Sequence, residues 1–185
     1  MILGELQFIP CLFLLALLIT AALYDIRFQK IPNLLTLPSI LMAIFYYTFI
    51  KGFEGFLLSV GGVGLGISLM LVPYLMGGMG AGDAKLMGAV GGLLGPKGVF
   101  IAFLLTALIG GVYAMVVLAF YGSLRETCLR YWLIFKTFFL AGKIIYIPPS
   151  EQEKKPRLRY GVAIALGTIM SVIMKNNIYS MLNLN

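Results

Sequence analysis

The chain has 185 residues, 61% of them hydrophobic and 11% charged, with a mean hydropathy of +0.99. A soluble domain of this length cannot hide so much apolar surface in one core, so the composition excludes an ordinary globular fold and indicates membrane helices. The net charge of +7 raises nucleic acid as a ligand, but in a membrane protein the placement of charge matters more than its sum, and no nucleic-acid partner is expected.

Six apolar segments follow in chain order, over residues 8–24, 34–50, 55–76, 84–95, 99–121 and 160–174. The hydrocarbon core takes about 20 helical residues, and five of the segments approach that length. The fourth is short. It crosses only if the bilayer thins or its neighbours bury it, and otherwise reads as a re-entrant piece. Basic residues favour the crossing. With six spans and the N-terminus outside, the inner side carries Arg27, Lys30, Lys85, Arg125, Arg130, Lys136, Lys143, Lys154, Lys155, Arg157 and Arg159, whereas the outer side keeps Lys51, Lys97 and Lys175. This is the asymmetry expected of cytosolic loops. The expectation is an all-α polytopic membrane protein with about six transmembrane helices, a single domain over 1–185, and a basic cytosolic loop at about 122–159.

That loop has two parts. The first mixes basic and aromatic residues around Trp132, the only tryptophan, and such a segment commonly lies in the membrane interface. The second, PPSEQEKKPRLR, is Pro-rich and charged and reads as a mobile cytosolic loop.

Cys11 falls in the first span and Cys128 in the large loop, and the chain has no histidine. Neither a disulfide nor a metal site follows, and zinc chemistry and a Ser-His-Asp triad are unsupported. No cofactor is expected. Gly62 and Gly66 in the third segment, and Gly88, Gly91, Gly92 and Gly95 in the fourth, have the small-xxx-small spacing that lets helix backbones approach closely. The same spacing serves within a chain and between chains, so it leaves the oligomeric state open.

Five of the seven acidic residues are glutamates, and the two aspartates are Asp25 and Asp83. Asp25 closes the first span and Asp83 opens the fourth, which puts both at the cytosolic membrane boundary. Acids at the edge of the hydrocarbon are costly unless paired or used. Two facing carboxylates can share one proton, one donating to a substrate carbonyl while the other draws a proton from water. Each aspartate also has a purely structural reading. Asp83 stands where an N-cap belongs, just before Ala84, and Asp25 can pair with Arg27 or Lys30. Neither reading accounts for Gly80 and Gly82, which remove side chains beside Asp83 and permit close approach or unusual backbone angles.

Tyr24-Asp25-Ile26-Arg27-Phe28-Gln29-Lys30-Ile31-Pro32-Asn33 resembles the first aspartate motif of type IV prepilin peptidases, and Gly80-Ala81-Gly82-Asp83-Ala84-Lys85-Leu86 resembles their second, the Gly-x-Gly-Asp motif. Arg159-Tyr160-Gly161-Val162-Ala163-Ile164-Ala165 is similar to the start of the family's last span, with Arg159 in place of a proline. The resemblance covers nearly the whole chain. It implies a GxGD-type aspartic membrane endopeptidase with Asp25 and Asp83 as the catalytic pair. Gly80, Gly82, Lys85, Lys30, Pro32 and Asn33 would support the motifs, and Pro32 and Asn33 would start the second span. The implied substrate is a type IV prepilin or pseudopilin, whose leader is cut at the cytosolic face of a bacterial or archaeal cytoplasmic membrane. The link between the first two spans is too short for the CxxC domain of bifunctional members, so the chain resembles the peptidase-only Flp/Tad branch, without methylation.

Three alternatives stay open at this level. A presenilin or signal-peptide-peptidase-like protease shares Tyr-Asp and Gly-x-Gly-Asp, although its Pro-Ala-Leu motif is missing. A small proton-coupled carrier predicts acids deep within the spans. A membrane scaffold would tolerate neutral residues at both aspartates.

Overall fold

The computed structural model describes residues 2–75, 78–120, 129, 132, 136 and 159–181. Among these the regular structure is helical: α1 Ile2–Phe28, α2 Asn33–Leu75, α3 Ala81–Phe120 and α4 Tyr160–Met181. The chain divides into two compact units, 1–110 with 159–185, and 111–158. Of the second unit the described residues are the end of α3 and the helical Leu129, Trp132 and Lys136, with exposed side chains at these three positions. The rest of the basic loop predicted at about 122–159, including Cys128 and the Pro-rich stretch, lies outside the described residues apart from Arg159.

Among the described residues, three helices are long and apolar enough to cross a membrane, over Ile9–Phe28, Asn33–Leu75 and Ala81–Val117, and Tyr160–Met174 adds a shorter apolar helix. Large apolar side chains such as Phe45, Phe49, Leu104 and Leu108 point outward from them. Such surface suits lipid and not water, and the molecule is a helical membrane protein.

Two glycines interrupt the long helices. Gly52 has φ 61° and ψ −140° within α2, and Gly95 has φ 72° and ψ 177° within α3. Both conformations favour a residue without Cβ. Pro96 follows Gly95, and proline suits the first turn of a new helical segment because its missing N–H would lack a partner there. The two segments of α2 fold back along one another at Gly52. A Cβ built on Gly92 would lie 3.1 Å from Ala43 Cβ in the first segment and 3.5 Å from Ser59 Oγ in the second.

The first segment of α3 is the centre of this unit. From Asp83 to Gly95 every residue except Lys85 and Leu94 is buried. The sequence set burial by neighbours as one condition for a short fourth segment, and that burial is present. Gly91 meets the backbone carbonyl of Gly62, and a Cβ on Gly66 would lie 2.5 Å from Met87 O. Ser59 Oγ donates to Gly92 O at 2.9 Å, and Tyr47 Oη donates to Leu93 O at 2.8 Å. The glycine spacing read from the sequence therefore serves contacts within the chain.

On α1, Leu14, Leu17, Leu18, Ala21 and Asp25 are buried. Their spacing of three and four marks one helix face. On α4 the buried set includes Gly161, Ile164, Thr168 and Ser171, again with helical period. α1 packs against α4, and each buried stripe ends in a residue of the site described next.

Candidate active site

Asp25 sits one turn before the end of α1 and is 5% exposed, and Asp83 sits in the first turn of α3 and is 8% exposed. A carboxylate withdrawn from water requires hydrogen-bond donors. Each aspartate has one, from a different source.

Asp83 is held by its own loop. Gly80 N–H donates to Asp83 Oδ2 at 2.9 Å, and Asp83 N–H donates to Gly80 O at 3.1 Å. α3 begins at Ala81, not at Ala84. Asp83 is therefore the third residue of the helix and not its N-cap, which corrects the sequence reading. It reaches back to the residue in front of the helix, as the acidic member of a capping box does. The earlier start arises because the small Gly80 and Ala81 can enter the turn while Asp83 closes it.

Asp25 is held from far along the chain. Gly161 N–H, in the first turn of α4, donates to Asp25 Oδ2 at 2.8 Å across a separation of 136 residues. The Val162 N–H acts on the same carboxylate, as does the charge of Arg159. The sequence paired Asp25 with Arg27 or Lys30, and the structure does not. Arg27 lies over the Phe28 ring, 5.5 Å from its centroid. Lys30 is exposed in the link between α1 and α2, and among the described residues no hydrogen bond or ion pair ties it to either aspartate.

The two motifs interlock. A Cβ on Gly82 would lie 2.9 Å from Ile31 O and 3.1 Å from Ile31 Cβ. Lys85 Nζ donates to Asn33 Oδ1 at 2.8 Å. Pro32 O accepts from Leu35 N–H at 3.0 Å, which starts α2 at Asn33. Together these contacts join the end of α1 and the start of α2 to the start of α3, and the charge of Asp25 acts on Asp83.

Gly82 is small because Ile31 occupies the space beside it, and not because of its φ. Among the described residues positive φ occurs at Gly52, Gly95 and Gln29. Gln29 follows the end of α1 with φ 51°, and its N–H donates to Asp25 O at 3.0 Å. This is a left-handed C-terminal stop of the kind glycine usually makes. It turns the chain sharply, so that Ile31 reaches Gly82.

Sequence reasoning assigned no role to Ile31 or Gly161. A glycine opening an otherwise apolar last helix was the available signal for Gly161. Among the described residues no cluster of His, Cys, Asp and Glu is arranged to hold a metal. The arrangement consists of two buried carboxylates with separate donors, and the charge of Asp25 acts on Asp83.

Comparison with known proteins places these residues in context. The model of the type IV leader peptidase family matches residues 12–115. The prepilin leader peptidase/N-methyltransferase of Bacillus subtilis (strain 168) is 32% identical over 113 residues, which are 59% of this chain and 44% of that protein. The chain thus spans less than half the length of that curated relative. No solved structure matches.

Proposed function

The chain belongs to the type IV leader peptidase family, and on that premise we propose that it is a membrane aspartic endopeptidase acting on prepilins or prepilin-like proteins. The proposed enzyme is one integral membrane domain over 1–185 in a bacterial or archaeal cytoplasmic membrane, with six crossings and the N-terminus outside. Its site faces the cytosol. The observation that carries the reading is the interlocking of the two motifs, Ile31 on Gly82 and Lys85 on Asn33, around two buried aspartates.

In the proposed reaction, Asp25 and Asp83 share one proton. The ionised member takes a proton from a water molecule while the protonated member donates to the scissile carbonyl oxygen. Water oxygen bonds to the carbonyl carbon and gives a tetrahedral diol. On collapse the C–N bond breaks, and the amide nitrogen leaves with a proton from the dyad. The products are a leader carboxylate and a new N-terminus on the pilin. Proton transfer alone accomplishes this, so the scheme assigns no metal or cofactor.

The link between α1 and α2 runs only from Gln29 to Pro32. The site is assembled across that link with nothing inserted in it, and methyl transfer forms no part of the proposed reaction. The position of the acids also favours the peptidase over the proton-coupled carrier. Both stand at helix ends, where a peptide bond just outside the hydrocarbon can reach them.

The test is cleavage of a cognate prepilin by the purified protein in detergent or liposomes. Asp25→Asn and Asp83→Asn are each expected to lower turnover by about 1,000-fold or more while the protein stays folded, as removal of a principal catalytic group does. Full activity in both variants would refute the dyad. Cleavage within the transmembrane segment of an unrelated membrane protein, with no cut in a prepilin, would favour the presenilin-like alternative.

A further inference from the structure

The scheme above uses two aspartates from two motifs, yet Asp25 is seated by a third part of the chain. We propose that Gly161 is a positioning residue of the active site, its N–H and its bare Cα together fixing where the Asp25 carboxylate points. This rests on the peptidase reading, to which it adds the start of α4 as a working part.

Two independent features of Gly161 support the inference. One is the hydrogen bond, with Gly161 N donating to Asp25 Oδ2 at 2.8 Å in a buried setting. A charge-assisted bond of this kind is shorter and stronger than a neutral one and constrains direction as well as distance. The other is steric. A Cβ on Gly161 would lie 2.9 Å from both Asp25 Cβ and Asp25 Oδ2, and 3.1 Å from Asp25 Cγ. Real Cβ atoms do not approach other atoms this closely, so any side chain at position 161 forces the carboxylate or the helix to move.

The surrounding packing leaves little slack. Asp25 ends the stripe of Leu14, Leu18 and Ala21 on α1, and Gly161 begins the stripe of Ile164 and Thr168 on α4. A Cβ on Gly167 would lie 2.6 Å from Thr106 N, and one on Gly110 would lie 3.6 Å from Ala163 Cβ. α4 is thus also pressed against α3 below the site and cannot simply withdraw. The displacement falls on Asp25. Asp83 has its own donor in Gly80 and has no need of α4, so the effect is specific to one member of the dyad.

The measurement is steady-state cleavage of a prepilin by Gly161→Ala in liposomes, beside Gly64→Ala, where the added Cβ would meet nothing within 4 Å. Gly161→Ala is expected to lower kcat about 100-fold, the effect of a misplacement near 1 Å, with KM held within about threefold. Gly64→Ala is expected to match the parent. A Gly161→Ala enzyme with parental kcat, or one that loses KM and kcat in step, overturns the proposal.

Should Gly161→Ala not fold, amide resonances of the labelled parent and of Asp25→Asn in micelles decide the matter. The Gly161 amide proton is expected to move in Asp25→Asn while Gly64 stays in place. No movement at Gly161, or equal movement at Gly64, overturns the proposal. The peptidase reading fails separately, by full cleavage in the aspartate variants.

Discussion

The two aspartates are held by opposite means. At Asp83, contact is made backbone to backbone: Gly62 on Gly91, Gly66 on Met87, and Gly82 on Ile31. These contacts run along the whole first segment of α3, and the carboxylate is secured by its own loop. At Asp25 the buried face of its own helix is built of leucine side chains, and the carboxylate relies on the distant start of α4. The Asp83 region is therefore held by many contacts along its own helix, and the Asp25 carboxylate by one short stretch of chain, the start of α4. The difference teaches that a glycine beside Asp83 is a packing element, whereas the glycine beside Asp25 governs a single functional group.

Three substitutions break or sharpen this contrast. The largest effect is expected of Gly91→Val, whose side chain would drive into the Gly62 carbonyl. Overpacking against backbone should cost about 3 kcal/mol, the upper end of the usual range, read as lost folded protein in denaturant titrations in micelles. Parental stability would remove the claim that this region is held by backbone contact. Next is Lys85→Met, which deletes the bond to Asn33 Oδ1. A loss near 1 kcal/mol of stability is expected for one hydrogen bond at a partly exposed site, with prepilin turnover lowered about tenfold. If stability falls and turnover does not, the link between the motifs is structural only. The smallest effect is expected of Gln29→Gly. The left-handed conformation costs a side-chain-bearing residue about 1–2 kcal/mol, and glycine gives back part of that gain as chain entropy. The variant should be more stable by about 0.5–1 kcal/mol, and destabilisation would mean that the Gln29 side chain contributes contacts of its own.

Much of the fold and site was legible in the sequence. Apolar runs located the helices because lipid requires apolar side chains for the length of a crossing. The gap at 51–54 contains the break at Gly52, whereas Gly95 was read as a packing glycine at the end of the fourth segment and not as a break. Asp25 and Asp83 stood out because aspartate is otherwise missing from the chain. The role of Asp83 in its helix was less legible. A capping residue and the third residue of a helix have the same composition nearby, and only hydrogen-bond direction separates them. The sequence marked Gly161 as part of a motif but did not pair it with Asp25. Their separation of 136 residues means that no local pattern encodes the pairing. Arg159 entered the sequence reading as one of the inner basic residues and as a departure from a motif, yet its charge is among those acting on Asp25.

The long-range bond to Asp25 also sets a clock. A ribosome adding about 5–20 residues per second needs roughly 7–27 s to pass from Asp25 to Gly161, given the 136 residues between them. In the later part of that interval, once the chain has passed the Gly95 break, α1 and the first segment of α3 can already be in place, with Asp83 seated by Gly80. Asp25 alone waits. The order of synthesis thus withholds one carboxylate until the last helix arrives, and a nascent chain beside its own membrane carries an unfinished blade.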